Sequence, residues 1–441
     1  DGIESVMLEI MFQKMFLRRL EKIVRRFMAE HQKVRVVLVA GGRGRQGVKY
    51  AVETVLAQRY STAMIPGAAP RDRIGLLLQI MGVQDGLATS ERRFWRLLGK
   101  VRAARLRARR SSAQLIIQEC VPDEPGFAEW LSSVVRVDFC IVTTVAGYQK
   151  KQFSGDDAFA AELINLVNAS KYGLLNYDDI DSRYAEALTH RRFATYGTRQ
   201  GADYSFIPQT VQLGQGTEGY FVSPGDHAPQ QMVLPVVGET ALHPFVAALS
   251  VGLAAGVSLS DMQEDIQHVM PLPGHGNMLR GQRQSWIIDN TEGATYESTA
   301  TSLRALYSTE SPKKIVVLGN IVSSIDEREQ LYKAVAEMCH PVELAWVVTI
   351  GKLPSQYIAP IARSRGNQVR SFESPIDAGA FVHSLLEKDT VVLYNAVADA
   401  SYVEEALKIT LHSLADARRL IRQSSSDLHH KDEYFSSLSV K

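Results

Sequence analysis

The strongest constraint on this chain is a rhythm: short apolar runs alternate with amphipathic helical patterns along most of its length. Runs at 34–39, 113–119, 136–144 and 173–177 are separated by helical stretches at 47–58, 128–135 and 155–169. Continuous Val/Ile/Leu runs, each followed by a helix, are the pattern of strands covered on both faces and paired in parallel through crossover helices. Residues 204–236 break the rhythm. They are rich in Gly, Pro and Gln and predict a small β meander, followed by helices at 241–256 and 259–270 and a linker at PLPGHG, 271–276. From 286 the alternation resumes with WIID, KIVVLG, LAWVVTI, QVRSF and TVVLYN, with helices predicted at 297–308, 327–339 and 376–387. The expected class is therefore α/β. A central domain with a parallel-rich sheet is placed at 34–273 and a Rossmann-like, doubly wound C-terminal domain at 274–421. Residues 1–33 form a basic amphipathic helix in this reading, and the polar, aperiodic stretch 422–441 a disordered tail.

Composition narrows the function classes. At 441 residues and a net charge of +1, the chain has ample material for two cores and no global field that implies nucleic acid. Cys120, Cys140 and Cys339 stand at wide, unpatterned spacing, which argues against a disulfide framework or a zinc site and for small buried hydrophobes in a reducing cytoplasm. No apolar run approaches the roughly 18–20 residues that span a bilayer, and the start has no secretory layout. The expectation is a soluble, cytoplasmic protein, at most peripheral to a membrane.

The stretch VRVVLVAGGRGRQGVKYAVETVL, 34–56, runs from strand through a glycine-rich turn into helix. That is the layout of a phosphate-binding P-loop, in which helix N-terminal N–H groups cradle phosphate, a lysine neutralises it and a Ser/Thr hydroxyl ligates Mg²⁺. Gly41, Gly42, Gly44 and Gly47 keep the turn permissive, but Arg45 and Gln46 stand where the lysine and the hydroxyl belong. Arginine is longer and forked, and a neutral amide oxygen is a weak ligand for a hard cation. By itself this turn is as compatible with a structural connection as with a nucleotide site.

Other segments set it in order. PGAAPRDRIGLLLQIMG (66–82), LIIQECVPDEPG (115–126), CIVTTVAGYQKKQF (140–153), GLLNYDD (173–179), WIIDNTEGATYESTATSLRAL (286–306) and KKIVVLGNIVSSIDEREQLYKAV (313–335) follow GGRGRQGVK. In that order they resemble the landmarks of the Mur ligase family, most closely its branch that adds D-alanyl-D-alanine to a UDP-muramoyl tripeptide. The resemblance spans roughly residues 34–410. It implies a P-loop-type central ligase domain that forms an acyl phosphate from ATP with Mg²⁺, an amine that attacks it to give an amide, and a Rossmann-like C-terminal domain. It also implies Glu119 as a metal-binding glutamate, Asp289 as a retained acid of the C-terminal loop, and polar groups near His243 and Asn290 facing nucleotide. Because the loop begins within ~40 residues of the start, the family's N-terminal UDP-binding domain is not expected.

The departures fall on chemical positions. Arg71, Asp72 and Arg73 replace an Asn-Asn-Glu segment; Gln149 stands at a histidine's place; Glu162 is the residue nearest a carbamoylated lysine. Gly274-His275 replaces Gly-Arg, Asn290 opens an altered loop, Asn320 replaces an aspartate and Tyr332 a histidine. One lost donor costs on the order of 10²–10³ in rate, and losses of this kind accumulate even where they are not additive. The resulting expectation is a catalytically silent ligase relative, a scaffold or regulatory subunit with a protein partner and no cofactor. The rival is an active ATP- and Mg²⁺-dependent carboxylate–amine ligase using Glu119, Glu162 and Asp289 with Gly41, Gly42, Gly44, Arg45 and Gln46 around nucleotide. A third reading is a nucleotide sensor without turnover.

Residues 92–110, RRFWRLLGKVRAARLRARR, hold nine Arg/Lys and no acid. With Arg92, Arg93, Trp95, Arg96, Lys100 and Arg102 they read either as a helix packed by one side with solvated arginines or as a docking face for an anionic membrane or a protein. Too few aromatics are interleaved for base stacking, so nucleic acid is not expected. His243 and the tail pair His429-His430 read as structural and solvated respectively, and Asp178-Asp179 as caps of a following helix.

Overall fold

The computed structural model describes residues 2–65, 70, 72–84, 93–108, 112–145, 153–179, 188, 192–225 and 228–438. It divides into two compact units. Unit 1 comprises Asp1–Ile207, Phe221–Pro229 and His243–Val269; unit 2 comprises Pro208–Tyr220, Gln230–Leu242 and Met270–Lys441.

The alternation predicts the strands of unit 1 closely, and they pair as its apolar runs require. Strands β1 (Arg35–Ala40), β2 (Thr62–Ala63), β3 (Leu115–Cys120), β4 (Phe139–Val142), β5 (Tyr172–Asn176) and β6 (Phe193–Gly197) lie in the order β2-β3-β1-β4-β5-β6, all parallel. Strand β7 (Tyr204–Gln212) begins beside β6, also in parallel. Every residue of β3 and β4 is buried, so both faces are covered. Alternate residues of β1, Val36, Leu38 and Ala40, join one core cluster with Phe16, Leu20, Val24 and Phe27 of α1 (Gly2–Glu30), Leu77 and Ile80 of α3 (Arg73–Ile80), Leu131 of α5 (Phe127–Val134) and Phe159 and Leu163 of α6 (Asp156–Asn168). Helix α1 is thus part of the unit 1 core, tied further by Trp130 Nε1 donating to Glu21 at 2.8 Å. Its apolar stripe predicts that packing; its arginines occupy the solvent side. Helices α2 (Arg45–Ala57), α7 (Glu239–Ala254) and α8 (Leu259–Gln267) meet where Gly252 admits Met262 and Val55.

Unit 2 holds most of β7, with β8 (Gly216–Val222) and β9 (Gln230–Leu234) as its successive neighbours. Its main sheet is β10 (Asn277–Arg280), β11 (Trp286–Asn290), β15 (Thr390–Asn395), β12 (Lys313–Leu318), β13 (Trp346–Ile350) and β14 (Val369–Phe372), in that order and parallel except for β10. The period of two is explicit. Ile288, Val316, Leu318, Val347 and Leu393 pack on α9 (Tyr296–Tyr307), α10 (Arg328–Glu337) and α11 (Ala359–Ser364). Their neighbours Ile287, Ile315, Val317, Val348 and Val392 pack on α12 (Pro375–Leu385) and α13 (Val403–Thr410). All three cysteines are free and buried, and burial pushes the Cys140 and Cys339 thiols up to about 12. Among the described residues no helix is long and apolar enough to cross a membrane.

The stretch expected as a disordered tail is helical instead: α14 (Ser425–Leu438) follows α13. The reason is an ion cluster that no apolar periodicity announces. Lys431, 4% exposed, contacts Glu404 at 2.9 Å and Glu405 at 2.6 Å, while Arg422 reaches Glu404 at 2.6 Å and stacks over Tyr402 at 4.6 Å. Burial alone would raise the Glu405 carboxyl, but the Lys431 bond and charge outweigh it and hold it low. Lys431→Ala leaves a buried glutamate pair short of one cation. Urea denaturation should then show a loss of about 3 kcal/mol at neutral pH, whereas a loss no larger than that of a surface substitution would detach α14 from the fold.

Candidate functional site

The β1–α2 connection is built by glycines at strained positions. Gly41 has φ +128°, and a Cβ there would lie 2.5–2.9 Å from Thr143 Oγ1 and the Thr144 backbone; Gly44, at φ +75°, caps α2 in the left-handed region. The loop lies against the end of β4. Gly42 N–H donates to Thr144 O and Arg43 N–H to Thr144 Oγ1, each at 2.9 Å, while Thr143 Oγ1 donates to Ala40 O at 3.2 Å. Arg45, the first residue of α2, folds its guanidinium back so that Nη1 donates to the carbonyls of both Gly41 and Gly42. Gln46 is exposed on the first turn of α2.

Beside the loop sits a residue that the sequence reading missed. Lys49 is 1% exposed; its Nζ contacts Glu119 Oε1 at 2.6 Å and Ile65 O at 3.2 Å. Glu119, 2% exposed at the end of β3, also has Arg45 Nε at 3.7 Å. The signal was present. Lys49, Val52 and Leu56 share one helical stripe and are all buried, and a lysine in such a stripe requires a buried anion.

The remaining candidates of unit 1 serve local structure. Glu162 accepts from Gly126 N at 3.2 Å and Ala128 N at 2.6 Å, capping α5, so its carboxylate is committed to a helix N-terminus. Asp72 caps α3 through Gly75 N at 2.8 Å. Arg73 pairs with Asp123 and Glu124 and stacks over Trp130 at 4.7 Å. Asp178 and Asp179, expected to cap a following helix, are bound elsewhere. Asp178 Oδ2 accepts from His243 Nε2 at 2.7 Å and from Thr198 N and Oγ1 at 2.6 and 2.8 Å, and Asp179 accepts from Val145 N. Burial works to raise the Asp178 carboxyl, but the His243 and Thr198 bonds prevail and lower it. Arg71, Gln149, Lys150 and Lys151 lie outside the described residues. Among the described residues no group of three His, Cys, Asp or Glu is arranged to hold a metal.

Within unit 2 the candidates gather at the carboxyl edge of the parallel strands. Asp289 is fully buried; it accepts from Thr291 Oγ1 at 2.6 Å and Gly274 N at 3.1 Å, and its carbonyl accepts from Gly276 N at 2.8 Å. The segment 271–276, read as a linker, is therefore pinned to β11. Asn290 Nδ2 donates to Asn395 Oδ1 at 2.6 Å and Ser302 Oγ at 3.2 Å, and Asn320 Nδ2 to Asp399 at 2.6 Å. Tyr332 hydroxyl accepts from Ile321 N at 2.9 Å and donates to Asn320 at 3.3 Å.

No protein-family model matches the chain. Over 340 residues it is 20% identical to the UDP-N-acetylmuramoyl-tripeptide–D-alanyl-D-alanine ligase of Bacillus subtilis (strain 168), covering 76% of this chain and 67% of that protein. Its fold is similar to that of MurF from Thermotoga maritima in complex with ADP, with a TM-score of 0.65 and 17% identity over 89% of this chain and 83% of the other. A MurF structure from Acinetobacter baumannii gives 0.61 and 17% over 88% and 79%. Folylpolyglutamate synthase from Thermotoga maritima gives 0.55 and 12% over 92% and 95%. In sequence and in fold the chain is similar to the Mur ligases.

For a Mur ligase fold, the positions that the resemblance assigns to nucleotide and metal have an unusual electrostatic environment here. Glu119 has two cations near it, Lys49 and Arg45, so the local formal charge is positive before any ligand is considered. Lys49→Met leaves Glu119 buried with Arg45 at 3.7 Å; the expected loss is about 3–5 kcal/mol at neutral pH. The double variant Lys49→Met/Glu119→Gln should recover much of it in the same denaturation series, and strictly additive losses would remove the coupling.

Asp289 gives a pH test. Burial raises its carboxyl to about 6, against hydrogen bonds from Thr291 and Gly274 that act to lower it. A raised carboxylate binds protons more readily folded than unfolded, so its contribution is most favourable below about 3.8 and declines as pH rises to about 6. Relative to Asp289→Asn, the parent should lose on the order of 3 kcal/mol across that window and nothing further above it. Parallel stability curves for the two proteins would contradict this.

Proposed function

We propose that this chain is a catalytically silent Mur ligase relative, acting in the cytoplasm as a scaffold or regulatory subunit for a protein partner. The observation that carries the reading is the buried Lys49–Glu119 pair at 2.6 Å. Glu119 is the carboxylate to which the family resemblance assigns Mg²⁺, and an internal ammonium already neutralises it. A divalent cation placed there would have to displace Lys49 or sit beside it and Arg45, and each course is opposed by several kcal/mol of like-charge repulsion or ion desolvation.

Three further features support it. Arg45 donates to the loop's own carbonyls. The Gly42 and Arg43 amides are engaged by Thr144. Glu162 caps α5 and is not directed to a metal. The residues present do not fit ATP with Mg²⁺.

The competing reading is the activity named for the Bacillus subtilis relative, ligation of D-alanyl-D-alanine to a UDP-N-acetylmuramoyl tripeptide. The retention of Glu119 at the end of β3, beside the glycine loop, is what favours it. One assay separates the two. Full-length protein with ATP, Mg²⁺, UDP-muramoyl tripeptide and D-Ala-D-Ala should release no ADP above the enzyme-free rate, and ATP with Mg²⁺ should leave its melting temperature unchanged. ADP release in step with amide formation would establish the ligase; a melting shift without turnover would establish a nucleotide sensor.

A further inference from the structure

Helix α4 (Arg93–Ala108) has two apolar features, and the fold uses one. Val101 and Ala104 are buried in the unit 1 core with Phe16, Leu20 and Phe27 of α1. The opposite side carries Trp95, Gly99, Arg102 and Leu106 at spacings of four, three and four, which about 100° per residue gathers into a single stripe. Trp95 is 72% exposed and Leu106 56%. Arg105 flanks this stripe on one side, and Arg96 and Arg107 on the other, all exposed. No acid occurs anywhere in α4. Helix α1, which packs against it, adds exposed Lys14, Arg18, Arg19 and Lys22. In a chain of net charge +1, this is a local concentration of positive charge.

A merely solvated helix face needs arginines or nothing; it does not need a tryptophan and a leucine along its centre line. Exposed apolar side chains at both ends of a stripe set among cations, Arg102 within it and Arg96, Arg105 and Arg107 beside it, are instead the pattern of a helix lying in a lipid interface, with Trp95 and Leu106 at the headgroup boundary and the cations on phosphate. Single-stranded nucleic acid would use several stacking rings, and Trp95 is the one aromatic among the described exposed side chains of α4.

We propose that α4 docks unit 1 on an anionic lipid surface, with Trp95 and Leu106 entering the headgroup boundary and Arg96, Arg102, Arg105 and Arg107 facing lipid phosphate. The contact is peripheral, and it is independent of whether the ligase chemistry survives.

The test is co-sedimentation of the full-length protein with vesicles of phosphatidylcholine alone and of phosphatidylcholine mixed with phosphatidylglycerol, at low and high salt. The protein should pellet with the mixed vesicles, not with the neutral ones, and less at high salt. Arg96→Glu/Arg102→Glu/Arg105→Glu should weaken partitioning roughly a hundredfold with an unchanged melting temperature. Trp95→Ala should weaken it less and abolish the vesicle-induced blue shift of tryptophan emission. Failure to pellet with mixed vesicles, or partitioning indifferent to the triple variant, would overturn the proposal. So would displacement from the vesicles by an oligonucleotide whose binding is indifferent to Trp95→Ala, which would assign the face to nucleic acid.

Discussion

The geometry around the glycine loop depends on one buried ion pair. Lys49 on α2 and Glu119 on β3 are almost fully removed from water and meet at 2.6 Å. Desolvating two ions costs several kcal/mol each, and attraction in a poorly polarisable interior offsets that only when the geometry is close and further partners exist. Here the Ile65 carbonyl completes the ammonium and Arg45 lies 3.7 Å from the carboxylate. Because neither charge tolerates separation, α2 is held in register against β3. The loop between β1 and α2 is fixed at both ends by that register and by the Thr143–Thr144 bonds.

Two buried aspartates show how the same residue type is put to opposite use. Asp178 in unit 1 receives three hydrogen bonds, one from the His243 ring, and its carboxyl is lowered despite burial. Asp289 in unit 2 receives two, from Thr291 and Gly274, and burial raises its carboxyl to about 6. The first is a charged clamp joining β6, the β5 turn and α7. The second is an anchor held at a cost, fastening 274–276 to β11. Neither pattern depends on a ligand.

The strands were legible because parallel strands covered on both faces must be continuous apolar runs, and TVVLYN or LAWVVTI admits few other readings. The helices followed from their stripes, with the ends of α9 and α12 displaced by one or two residues. What stayed hidden was charge burial. Lys49 and Lys431 look like solvated lysines until the fold supplies Glu119 and Glu404, which are 70 positions and 27 positions away in the chain. Glu162 was likewise read by its place in the family pattern, yet its partner is an α5 helix N-terminus that only the tertiary structure brings near. Short β2 carries too few residues for periodicity to register, and β6, FATYG, lacks the continuous apolar run of its neighbours.

A loop that binds phosphate is ordinarily left with unsatisfied donors, and ligand-binding loops are drawn from the less stable end of a fold for that reason. The first half of this loop is already engaged from within the chain. Its Gly42 and Arg43 amides are bonded to Thr144, its Gly41 and Gly42 carbonyls to Arg45, and the adjacent carboxylate to Lys49. Polar groups satisfied from within the chain gain little from an incoming anion, because each new bond must replace one already made. Of the two letters that distinguish GGRGRQGVK from a phosphate loop, Arg45 acts together with a third, Lys49, while Gln46 is exposed. Arginine at 45 and lysine at 49 both place positive charge beside Glu119, so the loop, α2 and the end of β3 are tied together by charges internal to the chain.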